Sequence, residues 1–116
     1  PDVLLLASGS EVSLALVAAD GLKAEGVSAS VISMPSWELF EKQSQEYKDS
    51  VLPPNVTARV GVEAAVGFGW DKWLRDKGIF IGLSGFGQSG PAKSCFTKFG
   101  ITVENVIKAA KKSIER

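Results

Sequence analysis

The chain has 116 residues, 45% of them hydrophobic, which suffices for one domain with a real core and is too short for two. Thirteen basic and thirteen acidic side chains cancel, so no net field draws it to nucleic acid or to an anionic membrane. There is no histidine and one cysteine, which excludes a Ser/His or Cys/His nucleophilic pair, a histidine metal site and an intrachain disulfide within these residues.

Residues 3–7, VLLLA, are a short continuous apolar run, the pattern of a strand buried on both faces. Ser8, Gly9 and Ser10 turn the chain. Ser10 stands where an N-cap belongs and Glu11 at the positive end of a helix dipole. Val12, Ala15, Leu16 and Ala19 recur at helical spacing, and Leu22 extends the face. Gly21 weakens this helix by about 1 kcal/mol relative to alanine, and Gly26 is a C-terminal stop. Residues 29–34, ASVISM, are a second strand, ended by Pro35. The stretch WELFEKQSQEYKDSVLPP reads as one or two short helices that stop before Pro53. Glu38, Glu41 and Glu46 form its wetted surface.

Residues 57–63, TARVGVE, are a third strand, and GFGWDKWLRDKG a short helix between glycines. Residues 79–83, IFIGL, are a fourth strand. A glycine-rich turn, SGFGQSG, precedes a short helix that starts near Pro91 and stops at Gly100. Cys95 falls there and reads as a semi-buried helix residue rather than a nucleophile. Thr102 caps a final helix to about 114, with Val103, Val106, Ile107, Ala110 and Ile114 on one stripe. Lys111 and Lys112 form its solvated face. No apolar stretch approaches the roughly 20 residues that span a bilayer.

Strands alternate with helices throughout, which predicts an α/β fold: a three-layer, doubly wound, mostly parallel sheet covered on both faces. In such sheets ligands sit beyond the carboxyl ends of the strands, where strand order reverses. The turns on that edge supply the ligand-edge candidates Ser8, Gly9, Ser10, Glu63, Gln88 and Ser89. ASGSEV is neither a Walker loop nor Gly-x-Gly-x-x-Gly. Its free N–H groups suit an anion, yet Glu11 puts a carboxylate where a phosphate would sit. GFGQSG has the glycines of a phosphate loop without its lysine. Glu63 has two readings: a general base, or a structural carboxylate that caps amides or pairs with Arg59 or Arg75. Trp70 and Trp73 share a helical face, for stacking a ligand ring or for packing. No two carboxylates stand in a catalytic frame.

Four stretches, in this order and spacing, resemble the C-terminal domain of the transketolase family: PDVLLLASGSEVSLAL, SVISMPSWELFEKQSQEYKDSVLP, TARVGVEAAVGFGW and GLSGFGQSGPAKSCFTKFGITVENVI. They cover nearly the whole chain. The resemblance implies a parent enzyme that moves a two-carbon ketol unit between ketose and aldose phosphates. It implies thiamine diphosphate and a divalent metal, usually Mg²⁺, in a homodimer that is cytoplasmic, or plastidic in a photosynthetic eukaryote. Cofactor and substrate are then expected between the N-terminal and middle domains, with the metal-binding GDG…N motif, absent here, on those domains. No catalytic, cofactor-binding or metal-binding residue is therefore carried over onto this chain. Residues 1–116 are expected to be one domain of a longer chain, inactive alone and structural in role. A second reading makes the switch-point turns a regulatory anion- or nucleotide-binding module.

The resemblance also implies a strand order of 2-1-3-4, all parallel, with the family's antiparallel edge strand missing beside residues 29–34. Gly90 departs from the family's usual alanine and makes that turn more flexible. The expected core is Leu4, Leu6, Leu16, Val31, Ile32, Val60, Val62, Phe80, Ile81 and Ile107.

Overall fold

A computed structural model describes residues 1–9, 11–33, 37–63, 71–75, 77–81 and 101–115, apart from the side chains at 37, 38, 71 and 72. The elements in chain order are β1 (Val3–Ala7), α1 (Glu11–Ala24), β2 (Ala29–Ser33), α2 (Trp37–Glu41), α3 (Gln45–Val51), β3 (Arg59–Val62), α4 (Asp71–Leu74), β4 (Ile79–Ile81) and α5 (Val103–Glu115). The four strands form one parallel sheet in the order β2-β1-β3-β4, as the resemblance implied. Leu5 lies opposite Val31 on one side and Val60 on the other, and Gly61 lies opposite Phe80.

The side-chain alternation of a strand sorts the core into two layers. Val3, Leu5, Ala7, Val60, Val62, Ile79 and Ile81 meet α1 and α5 through Ala15, Ala18, Leu22, Val106, Ala109 and Ala110. Leu4, Leu6 and Phe80 face the other way, against Leu52, Val56, Trp73 and Leu74. Helices thus cover both faces, and the central strands β1 and β3 are buried at every position. This is why β1 reads as an unbroken apolar run.

Local signals set the helix ends. The Thr102 hydroxyl accepts from the Asn105 N–H at 3.1 Å and starts α5. Ser44 does the same for α3, accepting from the Tyr47 N–H at 3.1 Å. The end of α1 is a Schellman turn: the Val27 N–H donates to the Leu22 carbonyl at 2.9 Å and the Gly26 N–H to the Lys23 carbonyl at 3.0 Å. Gly21 has a packing role that propensity conceals. A Cβ there would lie 2.7 Å from Ile107 Cδ1, so its absence lets α1 and α5 approach closely. Lys111 of α5 pairs with Glu25 just beyond α1, and Lys111 and Lys112 both stand on the exposed face of the helix.

Several expectations need correction. Leu16 is 53% exposed and is not core. The buried face of α1 runs through Ala15, Ala18 and Leu22, and Leu16 sits about 100° around the helix from Ala15. Ile114, placed on the apolar stripe of α5, is 42% exposed, and the buried positions are Val106, Ala109, Ala110 and Ser113. Val31 and Ile32 are only partly buried, because β2 is an edge strand of the sheet. Ile107 is also partly buried and packs against the α1–α5 layer. Met34, the short helix near Pro91, and Cys95 lie outside the described residues. Among the described residues no helix is long and apolar enough to cross a membrane.

Candidate functional site

The chain reverses its direction of travel across the sheet between β1 and β3. From β1 it moves outward to β2, then returns over the other face to β3. The carboxyl ends of these two neighbours therefore define the switch point. Ser8 follows β1 and Glu63 follows β3. The structure brings them together: the Ser8 hydroxyl donates to Glu63 Oε1 at 2.9 Å.

The backbone around this pair is already engaged. The Glu63 N–H donates to the Ile81 carbonyl at 3.1 Å, extending the β3–β4 ladder by one bond. The Glu11 N–H donates to the Ser8 carbonyl at 3.2 Å and the Val12 N–H to the Gly9 carbonyl at 3.3 Å, so the first turn of α1 closes on the loop. Gly9 holds φ at +59°, a left-handed conformation that glycine reaches without steric cost. No atom outside its immediate chain neighbours would lie within 4 Å of a Cβ there. The glycine is thus required by the turn and not by a close approach. Ser10, Gln88 and Ser89 lie outside the described residues, as do Ala64, Ala65 and Trp70.

Among the described residues, the electrostatics of this edge run against a phosphate ligand. Its described side chains Ser8, Glu11 and Glu63 include two carboxylates and no cation. A diphosphate placed there would meet like charge at both acidic groups. Among the described residues no three His, Cys, Asp or Glu side chains converge to hold a metal.

The pairing of Glu63 with Arg59 does not occur. Arg59 opens β3 at its amino end, is 1% exposed, and turns its guanidinium away from the switch point. Its Nε–H donates to the Val56 carbonyl at 3.0 Å, Nη1 to the Trp73 carbonyl at 2.7 Å and Nη2 to the Pro53 carbonyl at 3.0 Å. Burial first, and the nearby Arg75 charge second, lower its pKa to about 10. Its N–H donates to Ser113 Oγ at 3.0 Å, and that buried hydroxyl donates in turn to the Lys77 carbonyl. Trp73 takes the packing role: its ring stands edge-on to Phe40 with centroids 5.1 Å apart. Sequence reasoning did not foresee Arg59 and Ser113 as structural junctions. Ser113 at least lay three residues beyond Ala110 on the buried face of α5.

The comparisons agree with this architecture. Residues 1–102 match the family model described as the transketolase-like TK C-terminal domain. A chloroplastic transketolase of Solanum tuberosum is 53% identical over 111 residues, which are 96% of this chain and 15% of that protein. A Pichia stipitis transketolase, solved in complex with sedoheptulose-7-phosphate, superposes with a TM-score of 0.78 at 39% identity, over 98% of this chain and 16% of that one. A split-gene transketolase, solved as an inactive β4 tetramer, superposes with a TM-score of 0.66 at 25% identity, over 98% of this chain and 39% of that one. The chain thus spans about a sixth of the length of full transketolases. Fold, strand order and family match converge: this chain belongs to the transketolase family, in its C-terminal domain.

Proposed function

We propose that residues 1–116 are one domain of a longer transketolase chain, and that the whole enzyme transfers a two-carbon ketol unit between ketose and aldose phosphates. The observation that carries this reading is the family match over residues 1–102. The complex of the Pichia stipitis transketolase with a sugar phosphate supports the substrate class. Thiamine diphosphate and Mg²⁺ belong to the parent enzyme and are held by its N-terminal and middle domains. Residues 1–116 supply no reacting group. Their role is to complete the folded subunit and to contribute surface to a homodimer. The split-gene transketolase, an inactive tetramer, supports a piece that assembles without catalysing.

A regulatory anion or nucleotide at the switch point is the weaker reading, because Glu11 and Glu63 oppose an anion there. Ketol transfer by the intact chain, with thiamine diphosphate and Mg²⁺ supplied, tests the proposal. The intact chain is expected to be active, and Glu63→Gln to keep kcat/KM within about threefold of it. A loss of about a thousandfold on Glu63→Gln, the size seen when an acid–base group is removed, would place the chemistry here and refute the proposal.

A further inference from the structure

On the far side of the sheet from α1 and α5, a shallow cavity of about 180 Å³ opens between α2, α3 and residues 73–75. It is remote from the switch point, since Arg59 reaches it from the opposite end of β3. Its charged lining comprises Arg59, Arg75 and Lys48, against Glu41 and Asp49.

Lys48 and Glu41 offset one another, with Lys48 Nζ 3.6 Å from Glu41 Oε1, and Asp49 accepts from the neutral Gln45 amide at 2.7 Å and keeps its negative charge. Arg59 is different. Its three bonds are all to neutral carbonyls, and no carboxylate pairs with it among the described residues. A guanidinium has five N–H donors, so two remain beyond these three. A buried cation without a counter-ion is costly. Arg75 faces the same space and is exposed, with its backbone in the left-handed region at φ +60°. Two guanidiniums line one cavity, and their mutual repulsion is relieved by an anion between them.

We propose that this cavity binds a small oxyanion, a phosphate or a carboxylate group, between the guanidiniums of Arg59 and Arg75. Arg59 is the buried, pre-oriented half of the site, because three carbonyls fix its plane. Arg75 is the exposed half. The occupant is small for two reasons. The cavity is below the ~300 Å³ at which sites for drug-sized ligands begin, and Glu41 and Asp49 in its lining repel a polyanion such as a nucleotide triphosphate.

The inference rests on this cavity and not on the transketolase reading, so ketol transfer is not its readout. Crystals of the intact chain soaked in selenate give an anomalous signal that locates the ion directly. A peak within hydrogen-bond reach of both Arg59 and Arg75 is expected, and its absence from this cavity overturns the proposal. Calorimetric titration with inorganic phosphate then compares the native chain with Arg75→Asn, since asparagine tolerates the left-handed backbone. Affinity at this site is expected to fall about tenfold, and Arg75→Lys to recover part of it. Unchanged phosphate binding in Arg75→Asn overturns the proposal. Competition by acetate identifies a carboxylate group as a ligand, and binding of phosphate undisturbed by acetate identifies a phosphate.

Discussion

Arg59 donates to the Trp73 carbonyl at 2.7 Å, and that bond fastens the start of β3 to α4 across the second layer of the core. The same side chain holds the Pro53 and Val56 carbonyls of the α3–β3 connection. One buried arginine thus satisfies backbone groups from two separate segments of the chain.

Replacing it by an apolar side chain of similar length removes all three donors at once. Arg59→Met is expected to cost about 2–5 kcal/mol, because the carbonyls stay buried without partners. Arg59→Lys recovers little, since a point ammonium lacks the planar fork that reaches three acceptors. Urea unfolding of the 116-residue chain, read at constant m-value, measures both.

Ser113 is the second junction. Its hydroxyl accepts from the Arg59 N–H and donates to the Lys77 carbonyl, linking α5 to β3 and to the approach to β4. Ser113→Ala leaves the buried Arg59 N–H without its partner and the part-buried Lys77 carbonyl without its donor, and is expected to cost about 1–3 kcal/mol. A shift below about 0.3 kcal/mol in the same unfolding assay, the scatter of additivity tests, would show that the hydroxyl is dispensable.

Gly21 and Ile107 are coupled through space. Gly21→Leu drives a side chain into Ile107 and is expected to destabilise the chain by about 1–3 kcal/mol. Gly21→Ala is milder, since the better helix propensity of alanine, about 1 kcal/mol, offsets a small rotation of Ile107. In a double-mutant cycle, Ile107→Ala is expected to restore part of the loss in Gly21→Leu. Strict additivity of the two changes would contradict the close approach of α1 and α5.

Leu16 and Leu22 separate the two faces of α1. Leu22→Ala is expected to cost about 2–5 kcal/mol, as full burial dictates. Leu16→Ala is expected to stay within about 0.5 kcal/mol in the 116-residue chain, because the side chain is 53% exposed. Thermal unfolding of the two variants side by side reads the difference.

The parts of the fold that announce themselves in the sequence depend on local chemistry. The unbroken VLLLA run, the Thr102 cap and the Gly26 stop each act within a few residues, and each is found in the structure. The exact face of α1 is less legible, because alanines and leucines alternate around the whole helix from Val12 to Leu22 and leave no sharp apolar stripe. Arg59 is harder still. An arginine opening a strand reads as an exposed edge residue, and nothing nearby announces that carbonyls of two separate segments converge on it. Of the ligand edge, the proximity of Ser8 and Glu63 follows from strand order alone. That Arg59 faces the other way, onto its own cavity, needs the packing of α3 and α4.

The central claim is that the reacting groups and the cofactor lie outside residues 1–116. A crystal structure of the intact chain with thiamine diphosphate and Mg²⁺ bound tests it most directly. The account predicts that neither the diphosphate nor the metal contacts any residue of this stretch, and that Ser8 and Glu63 keep their mutual hydrogen bond. A cofactor or metal held by Ser8, Glu11 or Glu63 would contradict it.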